Sequence, residues 1–386
     1  MLPAQEKYRY IILGAGASGL SLCCHLLEAG VRDRILILDR KSAFADDRTW
    51  CFWNVRPNPF TGLAVRCWHH WEVRDTHGNR AHQESLGVGY ACLRGQDFYE
   101  HAQAEIARYA NVTLMLGSTI ETVEAFPDDA IVEANGTRYS ADYVFDSRLK
   151  VAPANGDTAF LQRFYGQFIR TDAPVFDPSS CTLMDFRVSQ ENGLHFFYIL
   201  PFSPTEALIE NTYVQESGTA GLTPEQHRTE ISDYLTQKAG VSDFTLVREE
   251  AGAIPMTTQP FPRRDGRLFF IGTAGGCTKP SSGYTFQRIQ EQCRQIAEAA
   301  SSGTLDRFRE RLAPARYRFF DSVFLLVLHD NPRNFPEYFY RLFTRVSPGA
   351  LTAFLSETST WRSDLQIMRS LPLGPFLRAA LKSIRG

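Results

Sequence analysis

Apolar residues are massed at 8–13 (YRYIIL), give way at once to glycines, and return with helical spacing from Ser18 to Glu28. Gly30 stops that helix, and 34–39 (RILILD) is a second apolar run with the look of a buried strand. The order strand, helix, strand predicts the start of a dinucleotide-binding βαβ unit. Two later runs, 141–148 (ADYVFDSR) and 268–272 (LFFIG), are short strands bounded by turn residues, placed to return the chain to the same sheet. Between them, 164–171, 181–188, 194–202 and 206–214 alternate or are rich in β-branched and aromatic residues, with short connections that predict an antiparallel sheet. A helix is expected from Pro224 to Ala239 and another from Phe286 to Ala300, with a helical remainder broken at Pro314, Pro332, Pro336, Pro348 and Pro372. The expected fold class is α/β: a Rossmann-type domain split between 1–155 and 245–300, an inserted antiparallel-sheet substrate domain at 156–244, and a helical C-terminal region at 301–386.

Composition narrows this further. At 386 residues with 44% hydrophobic and 22% charged content, the chain is long enough for two domains and apolar enough for a sizeable core. A net charge of −2 gives no basic excess, so nucleic acid is not an expected partner. The eight cysteines are scattered and contain no C-x-x-C pair, which suits a reducing cytoplasm and predicts neither a disulfide framework nor a zinc or other metal site. No secretory signal is evident in the opening residues. The longest apolar run, Val323 to Leu328, is far shorter than the ~20 residues a membrane-spanning helix needs.

The chemistry begins at Gly14-Ala15-Gly16-Ala17-Ser18-Gly19, a G-x-G-x-x-G between strand and helix. The first glycine permits the tight turn, the second lets a pyrophosphate approach the backbone, and the third lets helix and strand pack closely. The helix N-terminus offers N–H groups and a favourable dipole to phosphate. Asp39, twenty residues after Gly19, ends the second strand where a carboxylate can bind a ribose diol. This spacing does not distinguish FAD from NAD. A second glycine-rich segment, Gly272-Thr273-Ala274-Gly275-Gly276 with Pro280 and Gly283-Tyr284, favours FAD, whose length calls for a late loop over its ribityl and flavin portions. An ordinary strand-to-helix loop with flexible glycines would look similar.

Beyond the glycine turn, the matching stretches are DRTWCFW at 47–53, LRG at 93–95 with DFY at 97–99, VFDSR at 144–148 and FDP at 176–178. LMDF at 183–186, ALIE at 207–210 with Thr212, Gly252 with IPM at 254–256, and Gly272 through Tyr284 follow in order. On these residues the chain resembles the flavin-dependent lycopene cyclase family of carotenoid biosynthesis in its bacterial form. The resemblance covers about 8–290 and implies an intramolecular lyase or isomerase using reduced FAD, with NAD(P)H as reductant and lycopene or a related acyclic carotenoid as substrate. The expected cofactor contacts are Gly14, Ala15, Gly16, Ser18 and Gly19 in the first turn, Asp39 and Arg40 after the second strand, Arg48 and Trp50, and Asp146. The late loop adds Gly272, Gly275, Gly276, Pro280, Gly283 and Tyr284. Trp68 and Trp71 are expected in the core.

Cyclising an acyclic polyene end requires a proton delivered to a terminal double bond, attack by a neighbouring double bond on the cation, and loss of a different proton. Glu210 is the candidate acid, because apolar surroundings favour its neutral form and strand alternation puts it on one face with Leu208 and Thr212. A solvated strand carboxylate is the plainer alternative. Glu250 is the candidate second acid or base. Where the family often has a second acid after the glutamate, this chain has Asn211. Aromatic faces at Phe196, Phe197, Tyr198, Phe202 and Tyr213 are available to a cation. His195 and His329 are expected to be structural.

Thirteen lysines and arginines against seven acids after residue 300, with interleaved aromatics such as 335–343, suit a membrane-interfacial surface. The expected location is cytoplasmic, peripheral on a bilayer. The competing function is a redox monooxygenase or desaturase of the same fold acting on an isoprenoid. It would change the substrate's mass, whereas a cyclase would not. A non-catalytic flavin-containing carotenoid or lipid carrier is a third reading, and it would keep its function without Glu210.

Overall fold

The computed structural model describes residues 6–149 and 158–385; the expected domain boundary at 155/156 lies outside them. The first run forms the strand Glu6–Leu13, which pairs in parallel with Ile35–Leu38 on one side and Thr137–Asp146 on the other. Ile11, Ile12 and Leu13 are wholly buried, as a parallel strand covered on both faces requires. Val112–Met115 and Leu268–Phe270 extend the parallel pairing on the two sides, Arg264–Asp265 adds an antiparallel edge beyond the latter, and an antiparallel meander from Ile120 to Asp146 joins the sheet. Helix Ala17–Glu28 lies against helix Phe286–Ser301, tied by Gln290, which donates to the Ser21 hydroxyl and accepts from the His25 ring.

The second sheet has seven strands in the order Thr245–Thr257, Ala159–Arg170, Glu206–Glu216, Leu194–Ser203, Ser180–Asp185, His70–Arg74 and Arg80–Glu84. All neighbours are antiparallel except Ser180–Asp185 with His70–Arg74. Two features differ from the sequence expectation. Thr245–Thr257, expected in the nucleotide-binding half, pairs along its length with Ala159–Arg170 and so lies in this sheet. The two strands at 70–84 reach it from the other side of the chain, a long-range pairing that local patterning does not reveal.

Helix Pro224–Tyr234 begins at a capping box between Thr223 and Gln226 and passes into one π-turn at Leu235–Ala239, ended by left-handed Gly240. It covers the back of the second sheet, where Tyr234 stacks on Phe197 at 3.9 Å. The C-terminal helices Ala315–Asp330, Phe335–Arg345, Pro348–Leu355, Trp361–Ser370 and Leu373–Arg385 form a roof over the opposite face. Most of the prolines expected to break this region stand at helix starts, where the missing N–H costs nothing. Phe339 stacks on Phe186, and Gln83 donates to the carbonyls of Phe343 and Val346, fixing roof to sheet. Trp68 and Trp71 are in the core, at 2% and 0% exposure.

Candidate active site

One cavity of about 1150 Å³ runs from the glycine turn, across the front of the seven-stranded sheet, to the C-terminal helices. At the first end, Gly14 has φ +96°, and a Cβ there would lie 2.3 Å from Ser147 Oγ; at Gly19 it would lie 1.8 Å from the Gly14 carbonyl oxygen. Those two glycines are demanded by packing. Gly16 differs: a Cβ there would meet nothing within 4 Å, because the position faces the cavity. Asp39 is nearly buried, and its carboxylate accepts the Ala15 N–H at 2.5 Å and the Lys41 N–H at 2.7 Å. The carboxylate is thus aimed and held by the backbone beside the turn.

Gly14, Gly16, Ser18, Asp39 and Arg40 line this end, followed by Arg48 and Trp50, then Gly283 and Tyr284. Trp50 sits against Phe98, Tyr99 and Phe286, so one edge of the tryptophan belongs to the core while the rest fronts the cavity. Other expected contacts do not line it. Ala15 and Gly19 are behind the turn, and Asp146 is buried and triply bonded by Arg148. Gly272 has φ +63° and would clash with Ser18 Oγ if substituted, and Gly275 would clash with the Phe270 carbonyl. With Gly276 and Pro280, they shape the late loop without facing the cavity. That loop is anchored by Lys279, which is 1% exposed and pairs with Asp321 at 2.8 Å and Glu357 at 3.4 Å in the helical roof.

Deeper in, strand register assembles the carboxyls. Gly166 pairs with Glu210 on one neighbouring strand and with Glu250 on the other, and Tyr198 pairs with Glu210 one strand further on. A Cβ at Gly166 would come within 2.9 Å of Glu210 Cγ and 3.2 Å of Glu250 Cγ, so both side chains occupy the space a missing side chain leaves. Burial holds the Glu210 carboxyl well above the usual carboxylate range, and the charge and hydrogen bonding of Glu250 push it further up. Arg248, though close enough to oppose this, pairs with Glu250 itself.

Glu250 is 4% exposed; its Oε2 takes Arg248 and the Thr49 hydroxyl, the latter at 2.7 Å. Arg248 also bonds Thr49 Oγ1 at 2.8 Å and pairs with Asp46 at 3.0 Å. Glu250 Oε1 is buried with no partner of hydrogen-bond geometry among the described residues. The arrangement can hold a proton on Glu210 beside a second carboxyl paired with Arg248. Around it the Tyr198 hydroxyl donates to Tyr90 at 3.0 Å, and burial raises both phenols, leaving them neutral.

Alternation decides which aromatic rings face this space. Phe196 and Tyr198 line the cavity with Phe164, and Leu208 and Thr212 share the face of Glu210 as expected. Phe197 and Tyr213 have the opposite parity and pack on the back of the sheet, against Tyr234 and His195 respectively. Phe202 packs against Trp68 and Phe168 outside the lining. These three are therefore not available to a cation in the cavity. Asn211 is also on the back, 0% exposed, where it bridges His195 at 2.8 Å and Glu230 at 2.6 Å. Burial lowers the His195 pKa.

The sequence reading missed Gly166, Arg248, Asp46 and the role of Thr49. Only Gly166 has a local signal, a glycine inside an otherwise aromatic strand.

Solved structures share this architecture. A geranylgeranyl bacteriochlorophyll reductase-like protein from Thermoplasma acidophilum superposes with a TM-score of 0.63 at 12% identity, covering 99% of this chain and 100% of its own. A flavoprotein/dehydrogenase from Cytophaga hutchinsonii gives 0.64 at 13%, covering 99% and 100%. The chain therefore shares the fold of these proteins. Within it, the family described as "Lycopene cyclase protein" matches residues 10–381. The lycopene beta-cyclase of Pantoea ananas is 31% identical over 289 residues, 73% of this chain and 72% of that protein. The lycopene beta-cyclase of Paracoccus sp. (strain N81106 / MBIC 01143) is 30% identical over 321 residues, 78% and 75%. The chain belongs to the lycopene cyclase family, and it is an enzyme of that family.

Proposed function

We propose that this enzyme closes acyclic carotenoid ψ-ends, those of lycopene or a close relative, into β-ionone rings by proton transfer without net redox change. The observation behind this reading is the carboxyl pair: Glu210, whose pKa burial raises, beside Glu250, which is paired with Arg248, on the floor of a largely apolar cavity. Glu210 donates its proton to the terminal double bond, the neighbouring double bond attacks the resulting cation, and a ring proton leaves to a carboxylate of the pair. One proton enters and one leaves, so the product has the substrate's mass. The rings of Phe164, Phe196 and Tyr198 offer negative faces to the cation. Removing one such acid is expected to lower turnover by ~10²–10⁴-fold.

The cavity's glycine-turn end fits FAD. Gly16 leaves backbone open to a pyrophosphate, Asp39 is poised for a ribose diol, and Arg48, Trp50, Gly283 and Tyr284 line the way towards Glu210. Bound there in a reduced form, with NAD(P)H as the reductant, FAD would supply negative charge that favours a cationic intermediate. The enzyme acts in the cytoplasm, peripherally on a bilayer; among the described residues no helix is long and apolar enough to cross one.

The test is anaerobic incubation of flavin-loaded, NADPH-reduced enzyme with lycopene, followed by chromatography and mass spectrometry. Cyclic products of unchanged mass are expected, with Glu210→Gln retaining flavin and losing turnover. Oxygen gain, hydrogen loss, or unchanged lycopene would overturn the reading.

A further inference from the structure

Of the fifteen large hydrophobic residues exposed among the described residues, seven fall in the last two helices. On Trp361–Ser370 they are Trp361, Leu365 and Met368, at i, i+4 and i+7, which is one stripe. On Leu373–Arg385 they are Leu373, Leu377, Leu381 and Ile384, again one stripe. The opposite faces are committed to the protein: Ile367 and Ala379 are 5% and 2% exposed, and Phe376 packs edge-on against Tyr338. Arg362, Arg369 and Arg378 are exposed beside the stripes. The sole acid of the two helices, Asp364, is buried and pairs with Arg316, so it does not offset them at the surface. An apolar stripe edged by arginine fits an anionic bilayer surface and suits neither water nor a cationic partner.

The same helices open the cavity. Met368, Leu373 and Leu377 are exposed and also line it, and Leu371, Phe376 and Ala380 continue the lining inward. The apolar surface is thus continuous with the apolar interior that ends at Glu210.

We propose that these two helices are both the membrane-docking surface and the entry portal, taking a long acyclic hydrocarbon directly from an anionic bilayer into the cavity. The identity of that hydrocarbon rests on the proposed cyclase reading; the docking surface does not. Substrate then crosses from lipid to protein without exposing its chain to water.

Docking is measured with substrate-free vesicles of phosphatidylcholine, with and without phosphatidylglycerol, by flotation of the full chain. The wild type is expected to float with the anionic vesicles. W361Q/L365Q/L381Q/I384Q, all outside the cavity lining, should reduce the bound fraction at least tenfold and abolish turnover of vesicle-held lycopene, while leaving turnover of detergent-dispersed lycopene within twofold. R362Q/R369Q/R378Q should remove the preference for anionic vesicles. Ala380→Phe, which narrows the mouth, should float normally yet turn over vesicle-held lycopene at least tenfold more slowly; undiminished turnover would overturn the portal. Wild-type-like flotation of the quadruple variant would overturn the docking surface, as would a wild-type dimer that this variant dissociates. Normal flotation with no cyclic product even in detergent would count against the cyclase reading and leave the docking surface standing.

Discussion

Glu210 and Glu250 flank Gly166 in register, one on each neighbouring strand, and their Cγ atoms would lie 2.9 and 3.2 Å from a methyl group placed there. The pair exists because the strand between them has no side chain. Gly166→Ala therefore forces the carboxyls and Leu208, 3.1 Å from the same point, to shift. Overpacking of this kind costs about 1–3 kcal/mol, which a folded domain survives. The expected result is a lower melting temperature, retained flavin, and turnover reduced at least tenfold. Turnover matching the wild type would mean that the spacing of the pair is unimportant.

The raised pKa of Glu210 gives the enzyme a pH signature. The native protein keeps this proton to higher pH than the unfolded chain does, so the associated stability is full below the ordinary carboxylate range and is lost as pH rises through the raised value. The acid needed for protonating a double bond disappears in the same window. Glu210→Gln has no proton to lose, so its stability should fall less steeply on the alkaline side. Melting temperature against pH for the two proteins measures this, and kcat against pH for the wild type should fall over the same range. Parallel melting profiles would remove Glu210 as the titrating group.

Much of this was legible in the sequence, and the rest failed for definite reasons. The glycine turn and Asp39 are local, so strand, turn and acid could be read off in order, and strand alternation correctly grouped Leu208, Glu210 and Thr212. The same parity argument excludes Phe197 and Tyr213 from that face, a step that needs to know which strand is whose neighbour. Arg248, on strand Thr245–Thr257, and Asp46, in the loop before strand Thr49–Trp53, lie about two hundred residues apart and belong to different parts of the fold. No periodicity in either segment records their ion pair. The Trp53 ring illustrates the same limit: it belongs to the aromatic motif yet packs at 4.7 Å on Trp71 in the core, while Trp50, three residues earlier, reaches the cavity.

Arg248 is the cation of the carboxyl pair and opposes the rise of the Glu210 pKa. It pairs with Glu250 and Asp46, with 12% of its side chain exposed, and it bonds Thr49, which bonds Glu250 in turn. Replacing it by methionine leaves Glu250 without its cation, while Asp46 keeps Arg94, and breaking a buried pair this way costs about 3–5 kcal/mol. The Arg248 charge lowers the Glu210 pKa, so without it the alkaline limb of the kcat profile should move to higher pH while the maximal rate falls. Arg248→Lys should restore part of both. A loss of stability without movement of the limb would assign Arg248 a structural role alone.

Asn211 follows Glu210 in the chain, yet its side chain lies on the back of the sheet between His195 and Glu230, away from Glu210. Asn211→Asp should therefore add no catalytic acid. It replaces the amide donor to Glu230 by a second carboxylate at a fully buried position, at a cost of about 1–3 kcal/mol. The crowded acids, with His195 beside them, should bind a proton more tightly in the native protein than in the unfolded chain. The lost stability should thus return as pH falls and be greatest at neutral and alkaline pH. Meanwhile kcat and its pH dependence should stay within twofold of the wild type when rates are normalised to folded, flavin-loaded protein. A rate increase or a displaced pH optimum would show that position 211 communicates with the cavity after all.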